Sequence, residues 1–322
     1  MKILVTGATG FVGSHLTDLL SSEGHEVFSL VRNPKKAEEF NTQGNLIIGN
    51  LAPDGELTWI NSLPNDLDAV IHTAGVVHSS IADDFFTLNT RTTNNLIDQL
   101  HRKYPKLHFT YISSLAASGP SVQKEKVEDD LKTPVSSYGR SKLESEYHLK
   151  EINGWTHTIV MPPMVIGPRD PAVLDIFKMV KSRVIIGPGL NFKNKSYSFI
   201  NVLDLVQAIS YLTEQKGPGS YFISHPTRVT FVELIKIINA NMHNKTLFYI
   251  PIPHFLLRMV GKLLSIFPVA TRLTSDKVHE LVQENWICSS SRYLNFSKKN
   301  FEYDLDTTIK MTQKDYEDRK WL

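Results

Sequence analysis

The sequence predicts a doubly wound parallel α/β sheet with a smaller, mostly helical C-terminal substrate lobe. Three observations carry this reading. Short apolar runs near residues 3–5, 26–31, 69–72, 107–112 and 158–161 are separated by longer stretches with helical periodicity, the order that builds βα units. The first run breaks into Gly7, Gly10 and Gly13 before Val12, Leu16, Leu19 and Leu20 resume at helical spacing. At 322 residues the chain is long enough for a large core and a second lobe.

Composition narrows the function classes. Hydrophobic content of 41% and charged content of 21% are those of an ordinary globular protein. Lys plus Arg at 35 against Asp plus Glu at 33 leaves a formal +2, so no nucleic-acid partner is expected. Before Thr6 stand one lysine and a three-residue apolar run, far short of a signal-peptide core, and no uninterrupted run is long enough to span a membrane. A cytoplasmic location is expected. Cys288 is the only cysteine and reads as a small buried residue; an intrachain disulfide and a cysteine metal cluster are excluded. No metal is expected.

The first strand, around Ile3, Leu4 and Val5, leads into the glycines. Gly7 permits a sharp turn, Gly10 lets a diphosphate approach the backbone, and Gly13 lets helix and strand pack closely, so the helix N-terminus points at phosphates. An anionic dinucleotide is expected there, against the plainer alternative of a glycine-rich turn.

The second strand, Glu26–Val31, ends in Arg32-Asn33. An acid at this strand end selects NAD by binding the ribose hydroxyls, whereas an arginine accommodates the extra phosphate of NADP. With no acid and one guanidinium, NADP is favoured, with NAD the alternative.

A third strand over 46–49 runs into Asn50-Leu51, placed to flank an adenine ring. The fourth, Ala69–His72, continues into Thr73-Ala74-Gly75, small residues that let the cofactor ribose pass or simply pack tightly. His72 reads as a satisfied core histidine. Residues 85–102 form a helix with Phe86, Leu88, Leu96, Ile97 and Leu100 on its buried face and Asn89 as a polar plug near the active site.

The next stretch carries the chemistry. A strand over 107–112 ends in Ser113-Ser114, and after a charged loop over 124–132 come Tyr138 and Lys142, four apart and therefore on one helical face. A free phenol, with a pKa of about 10, is too weak an acid to exchange protons near neutrality. An adjacent ammonium is expected to pull that value down, making Tyr138 the general acid and base. A serine hydroxyl at the strand end would orient the reacting oxygen.

The combination of Gly7, Gly10 and Gly13, the serine strand end and the Tyr138/Lys142 pair resembles the extended short-chain dehydrogenase/reductases, the NAD-dependent epimerase/dehydratase family, over roughly the first 225 residues. The resemblance implies a Rossmann domain whose glycine motif matches Thr6, Gly7, Thr9, Gly10, Phe11, Val12 and Gly13. It places the strand-four segment on Thr73, Ala74 and Gly75, the helix asparagine on Asn89, and the catalytic serine, counted back from Gly119, on Ser114. Tyr138 and Lys142 match directly, and backbone groups around Pro163, Met164 and Val165 would bind the carboxamide of the nicotinamide. Many members carry an arginine where this chain has Met161, which leaves its supporting role unfilled. The resemblance also implies a homodimer through the helices carrying Asn89 and Tyr138.

From Asp170 the chain leaves the nucleotide domain. Residues 1–169 with 199–225 are expected to bind the cofactor, and 170–198 with 226–322 to form a discontinuous substrate lobe. Residues 187–198, with Phe192, Lys193, Lys195 and Tyr197, read as a substrate loop. In sugar-nucleotide epimerases an arginine just before the next segment clamps the substrate diphosphate; Tyr197 stands at the matching place. Lys193, Lys195, Arg258, Arg272 and Arg292 are the candidate substitutes. Thr230 and Glu233 have capping-box spacing. The apolar run over 251–267, interrupted by Arg258, Gly261 and Lys262, is an amphipathic helix that packs on the core, walls an apolar substrate or makes a shallow membrane contact.

Three functions follow as expectations. The first is NADP-linked hydride transfer at a secondary alcohol or ketone of a fairly apolar small molecule. A nucleotide-sugar epimerase or dehydratase with retained NAD is the second, and a non-catalytic cofactor-binding sensor or scaffold the third.

Overall fold

The computed structural model describes residues 1–266 and 274–322, and for 262–266 only the backbone. Seven strands form one parallel sheet: β1 (Lys2–Thr6), β2 (Glu26–Val31), β3 (Asn45–Ile48), β4 (Ala69–His72), β5 (His108–Ile112), β6 (Thr156–Met161) and β7 (Gly219–Phe222), in spatial order β7-β6-β5-β4-β1-β2-β3. The order reverses between β1 and β4, and an open parallel sheet has its ligand crevice outside the carboxyl ends of the strands at such a reversal.

Alternation along the strands divides the core between the two faces. Leu4, Val70 and Phe109 join one cluster with Leu96, Ile97 and Leu100; Ile3, Val5 and Ile71 join another with Leu16, Leu20 and Leu205. Both faces are apolar because helices cover both. Helix α1 (Phe11–Ser22) and α4 (Val202–Glu214) pack on the second face, and α2 (Thr92–Lys103) and α3 (Ser137–Glu151) on the first. A third cluster, with Phe177, Ile185, Phe192, Phe231, Ile235 and Tyr316, forms the smaller lobe, and it draws in Ile166 and Phe199.

The helix expected over 85–102 is three pieces. Ala82–Phe85 passes into a π turn, Phe86–Arg91, and then into α2. The wider π turn rotates the side chains, so Phe85 and Asn89 are buried while Leu88 is 44% exposed. Over 85–91 the buried face is therefore not the one that uniform helical periodicity predicts, whereas Leu96, Ile97 and Leu100 are buried as expected. The capping box at Thr230 forms as expected, with the Thr230 hydroxyl accepting from the Glu233 amide. Helix α5 (His254–Ile266) buries Leu257 but leaves Phe255, Met259 and Val260 exposed; Phe267 lies outside the described residues. Among the described residues no helix is long and apolar enough to cross a membrane.

Candidate active site

The glycine turn has no room for side chains. Gly7 has φ +71°, and a Cβ on it would lie 2.8 Å from the Ala74 nitrogen. A Cβ on Gly13 would lie 2.1 Å from the Gly7 carbonyl oxygen, which fixes how closely α1 approaches β1. Gly10 caps α1 without a side chain, so the first amides of the helix face outward for an anion. Thr9, Phe11 and Val12 are half-buried around this opening, and Thr6 is buried beneath it. The turn thus fits a dinucleotide diphosphate.

Thr73, Ala74 and Gly75 lie beside it. The Thr73 hydroxyl donates to the Thr6 carbonyl at 2.7 Å, and the Ala74 amide donates to the Thr6 hydroxyl oxygen at 3.4 Å. His72 is held between the Thr6 and Thr93 hydroxyls at 2.6 and 2.9 Å, and burial pushes its pKa down to about 3, with the Lys142 ammonium adding to the shift. It is a neutral core histidine.

Arg32 is exposed at the end of β2, followed by Asn33, whose side-chain oxygen accepts from the Lys35 amide at 3.1 Å and caps the helix Pro34–Glu39. Asn50 is exposed and its carbonyl accepts from the Trp59 indole at 3.0 Å, while Leu51 packs on the first core cluster.

Asn89, delivered by the π turn, is a latch. Its carbonyl oxygen accepts from the Val76 amide at 2.8 Å; its amide group donates to the Val76 carbonyl at 3.0 Å and to the Ser141 hydroxyl at 3.2 Å. It ties the loop after β4 to α3. A Cβ on Gly75 would lie 3.1 Å from Asn89 Oδ1 and 3.3 Å from Lys142 Nζ, so these two groups meet the loop at one point.

Helix α3 brings Tyr138 and Lys142 to the end of β5. Ser136 caps it by accepting from the Gly139 amide at 3.0 Å. The Tyr138 ring packs edge-on to Phe85 at 6.0 Å. Lys142 Nζ donates to the Ile112 carbonyl at 2.8 Å and lies 4.8 Å from the Tyr111 ring centroid; burial pushes its pKa down to about 8, opposed by the Glu146 carboxylate. The expected lowering of the phenol is absent here. Burial pushes Tyr138 above its ordinary value, the Ser114 hydroxyl opposes this through a hydrogen bond, and the Glu280 carboxylate adds to it. The ammonium is directed to a carbonyl and a ring face, so desolvation decides the phenol's shift.

The two serines part company at the end of β5. Ser113 donates to Glu146 Oε1 at 2.5 Å, whereas Ser114 caps Leu115–Ser118 by accepting from the Ala116 amide at 3.1 Å and stands next to Tyr138. Pro163, Met164 and Val165 are half-buried, and Met164–Ile166 pairs in parallel with Phe199–Asn201.

Three residues near the site carry no signal in the sequence. Asp276 accepts from the Ser137 amide at 2.5 Å and the Tyr138 amide at 3.3 Å, and Glu280 accepts from the Ser136 hydroxyl at 2.7 Å. A short helix of the second lobe, Ser275–Leu281, thus closes the N-terminus of the helix that carries Tyr138. The third is Lys132, from the charged loop, which pairs with the fully buried Glu146 and reaches Met161 Sδ at 3.2 Å. A cation from another part of the chain occupies the neighbourhood of Met161.

Of the five candidate substitutes for the diphosphate clamp, Lys195 is 2% exposed and donates to the Leu281 and Gln283 carbonyls at 2.7 and 2.5 Å. Arg292 pairs with Asp129 at 2.5 Å. Lys193 lies over the Tyr249 ring at 5.6 Å, Arg258 is exposed, and Arg272 lies outside the described residues.

Residues 3–224 match the model of the NAD dependent epimerase/dehydratase family. The chain belongs to this family. Among curated relatives, it is similar to the UDP-glucose 4-epimerase of Vibrio cholerae, 27% identical over 85% of this chain and 85% of the relative. It is also similar to a ceramide reductase of Caulobacter vibrioides, 25% identical over 90% of this chain and 86% of the relative. Among solved structures, a UDP-glucuronic acid 4-epimerase of Bacillus cereus, crystallised with UDP-glucuronic acid and NAD, superposes with a TM-score of 0.78 at 19% identity, covering 99% of this chain and 100% of that one. As an extended short-chain dehydrogenase/reductase of the epimerase/dehydratase family the chain is an enzyme of an NAD-dependent class. Its Rossmann-type sheet is that of the family.

Proposed function

We propose that the chain is an NADP-linked reductase or dehydrogenase acting at a secondary alcohol or ketone carbon of a fairly apolar small molecule. The observation that carries this is the state of two of the candidate substitutes for the clamp, Lys195 and Arg292. Lys195 and Arg292 are committed to protein partners, so the diphosphate clamp of a nucleotide-sugar enzyme has no obvious replacement in them. The ceramide reductase relative is in keeping with an apolar substrate. For the cofactor, Arg32 at an acid-free strand end, with Lys35 and Lys36 close behind, favours a ribose phosphate.

In this reading Thr6, Gly7, Thr9 to Gly13, Arg32, Asn33, Asn50, Leu51, Thr73 to Gly75, Asn89 and Pro163 to Val165 hold the dinucleotide. The nicotinamide, when bound, supplies or accepts a hydride at its C4. Tyr138 gives the substrate oxygen a proton during reduction and takes it back during oxidation, and Ser114 donates a hydrogen bond to the same oxygen. Lys142 holds the ribose and offsets charge on the phenolate. Residues 1–169 with 199–225 serve the cofactor, and 170–198 with 226–322 the substrate. A homodimer through the helices carrying Asn89 and Tyr138 is part of the same proposal, and light scattering at monomer mass would remove it.

The test is net turnover and bound nucleotide on the purified protein. NADPH oxidation with a tighter fit for NADP than for NAD is expected, reversed by Arg32→Asp. Tightly held NAD without net turnover would sink the proposal. That outcome favours the second reading, a nucleotide-sugar epimerase or dehydratase, to which the Vibrio relative and the Bacillus neighbour point. Cofactor binding without turnover of either kind, and with Tyr138→Phe changing nothing measurable, would leave the third reading, a non-catalytic sensor or scaffold.

A further inference from the structure

The second lobe presents an apolar face with a cationic rim, on the side of a two-stranded parallel ribbon. Its strands, Val184–Pro188 and Phe248–Ile252, pair with Phe248 opposite Val184 and Ile250 opposite Ile186. Alternation sends Ile185 into the lobe's core and leaves those four side chains outward; Phe248 is 63% and Ile250 50% exposed. A half-buried ribbon ordinarily carries polar residues on its outer face. Here all four outward positions are large and apolar. The surface continues into Leu190, 74% exposed, and into α5 through Phe255, 68% exposed, and Met259. Single exposed apolar side chains need no explanation, but a contiguous group marks an interaction site.

Charge selects the occupant. The strands and helix that supply this face, Val184–Pro188, Phe248–Ile252 and His254–Ile266, contain no Asp or Glu. Arg183, Lys245 and Arg258, exposed and within a few residues of the apolar positions in the chain, form the rim. A second copy of this chain would bring like charges against each other across a two-fold axis. An anionic lipid surface meets both features: apolar side chains enter the headgroup boundary, and lysine and arginine reach phosphates around them.

We propose that this face docks the protein on anionic lipid bilayers, lying in the interface without spanning it. The contact does not depend on the reaction assigned above. The full chain is sedimented with phosphatidylcholine vesicles with and without phosphatidylglycerol, over a range of salt. Binding to the anionic vesicles, weakening as salt rises, is expected; a protein that stays in the supernatant with both overturns the proposal. Charge reversal by Arg183→Glu with Lys245→Glu should lower the partition coefficient by at least about thirtyfold, since each cation near such a surface is worth about a factor of five. Phe248→Ser with Ile250→Ser should abolish the residual binding at high salt while circular dichroism stays unchanged. Should either double variant bind as wild type does, the face is not the contact. A dimer dispersed by Phe248→Ser with Ile250→Ser, in a protein that ignores vesicles, would assign the face to a second copy. If soluble polyglutamate binds as tightly as the vesicles, charge alone is responsible and the proposal fails.

Discussion

Replacing Lys132 by methionine tests how the end of β5 is held. Glu146 is fully buried one turn beyond Lys142 on α3, and its two oxygens take the Lys132 ammonium and the Ser113 hydroxyl. In Lys132→Met the side-chain volume is nearly kept, so packing against Met161 changes little. What is lost is the paired ammonium of a carboxylate with 0% exposure, leaving one hydroxyl as its donor and the field of the Lys142 ammonium. Removing one partner of a buried pair costs about 3–5 kcal/mol, because the remaining charge stays desolvated. In a chain of this size that lowers the unfolding midpoint by roughly 4–7 °C. Replacing both partners removes the stranded charge, so Lys132→Met with Glu146→Leu should recover to within about 1–2 kcal/mol of wild type. Guanidinium unfolding of the four proteins closes the cycle. A single variant within about 1 kcal/mol of wild type, or a double variant as unstable as the two singles added together, refutes the reasoning. Turnover is a second readout, since a freed Glu146 pulls on Ser113, the neighbour of Ser114.

Other perturbations read other parts of the site. Gly13→Ala places a methyl 2.1 Å from the Gly7 carbonyl oxygen, so the turn must open; a loss of about 1–3 kcal/mol and the disappearance of the thermal shift given by added NADP are expected. His72 and His108 have pKa values pushed by burial from 6.5 to about 3 and about 4, so the unfolded chain binds more protons below its own pKa. Their contribution is complete above about pH 6.5 and is lost as pH falls, by about 2 kcal/mol each near pH 5, and urea midpoints across that window check it. A flat profile there would show that both histidines are protonated in the fold. Burial pushes Lys142 down to about 8, and in the proposed reading its ammonium form holds the ribose and offsets the phenolate more strongly than the neutral amine, so kcat/KM should fall as pH rises through that value. Lys142→Arg should move the fall upward. Tyr138→Phe should lower kcat by about 10²–10⁴ with the unfolding midpoint little changed, as expected when a general acid is removed.

How much of this was legible in the chain depends on how far each signal reaches. The glycine turn, the strand ends at Thr73 and Ser113-Ser114, the Tyr138/Lys142 spacing and the Thr230/Glu233 capping box all rest on residues within about a turn of one another, where backbone sterics and period decide the outcome; the choice of Ser114 between the two serines came from the family resemblance. The π turn at Asn89 was not legible. Uniform helical periodicity fits residues 85–102, and only the packing of Phe85 on Tyr138 and the Asn89 latch on Val76 settle the wider turn. Asp276 and Glu280, about 140 residues from the helix they close, were equally hidden, as was the phenol of Tyr138 lying above its ordinary value.

The order of apolar runs and three glycines therefore determined the parallel sheet and where a dinucleotide belongs, because a strand followed by a tight glycine turn and a helix has few other ways to pack. Tertiary structure alone decided which carboxylate answers Lys132, which hydroxyl turns to Tyr138 and which lobe residue caps its helix. Those choices are made by desolvation among groups distant in the chain, and each buried polar atom accepts whichever partner the completed fold brings to it.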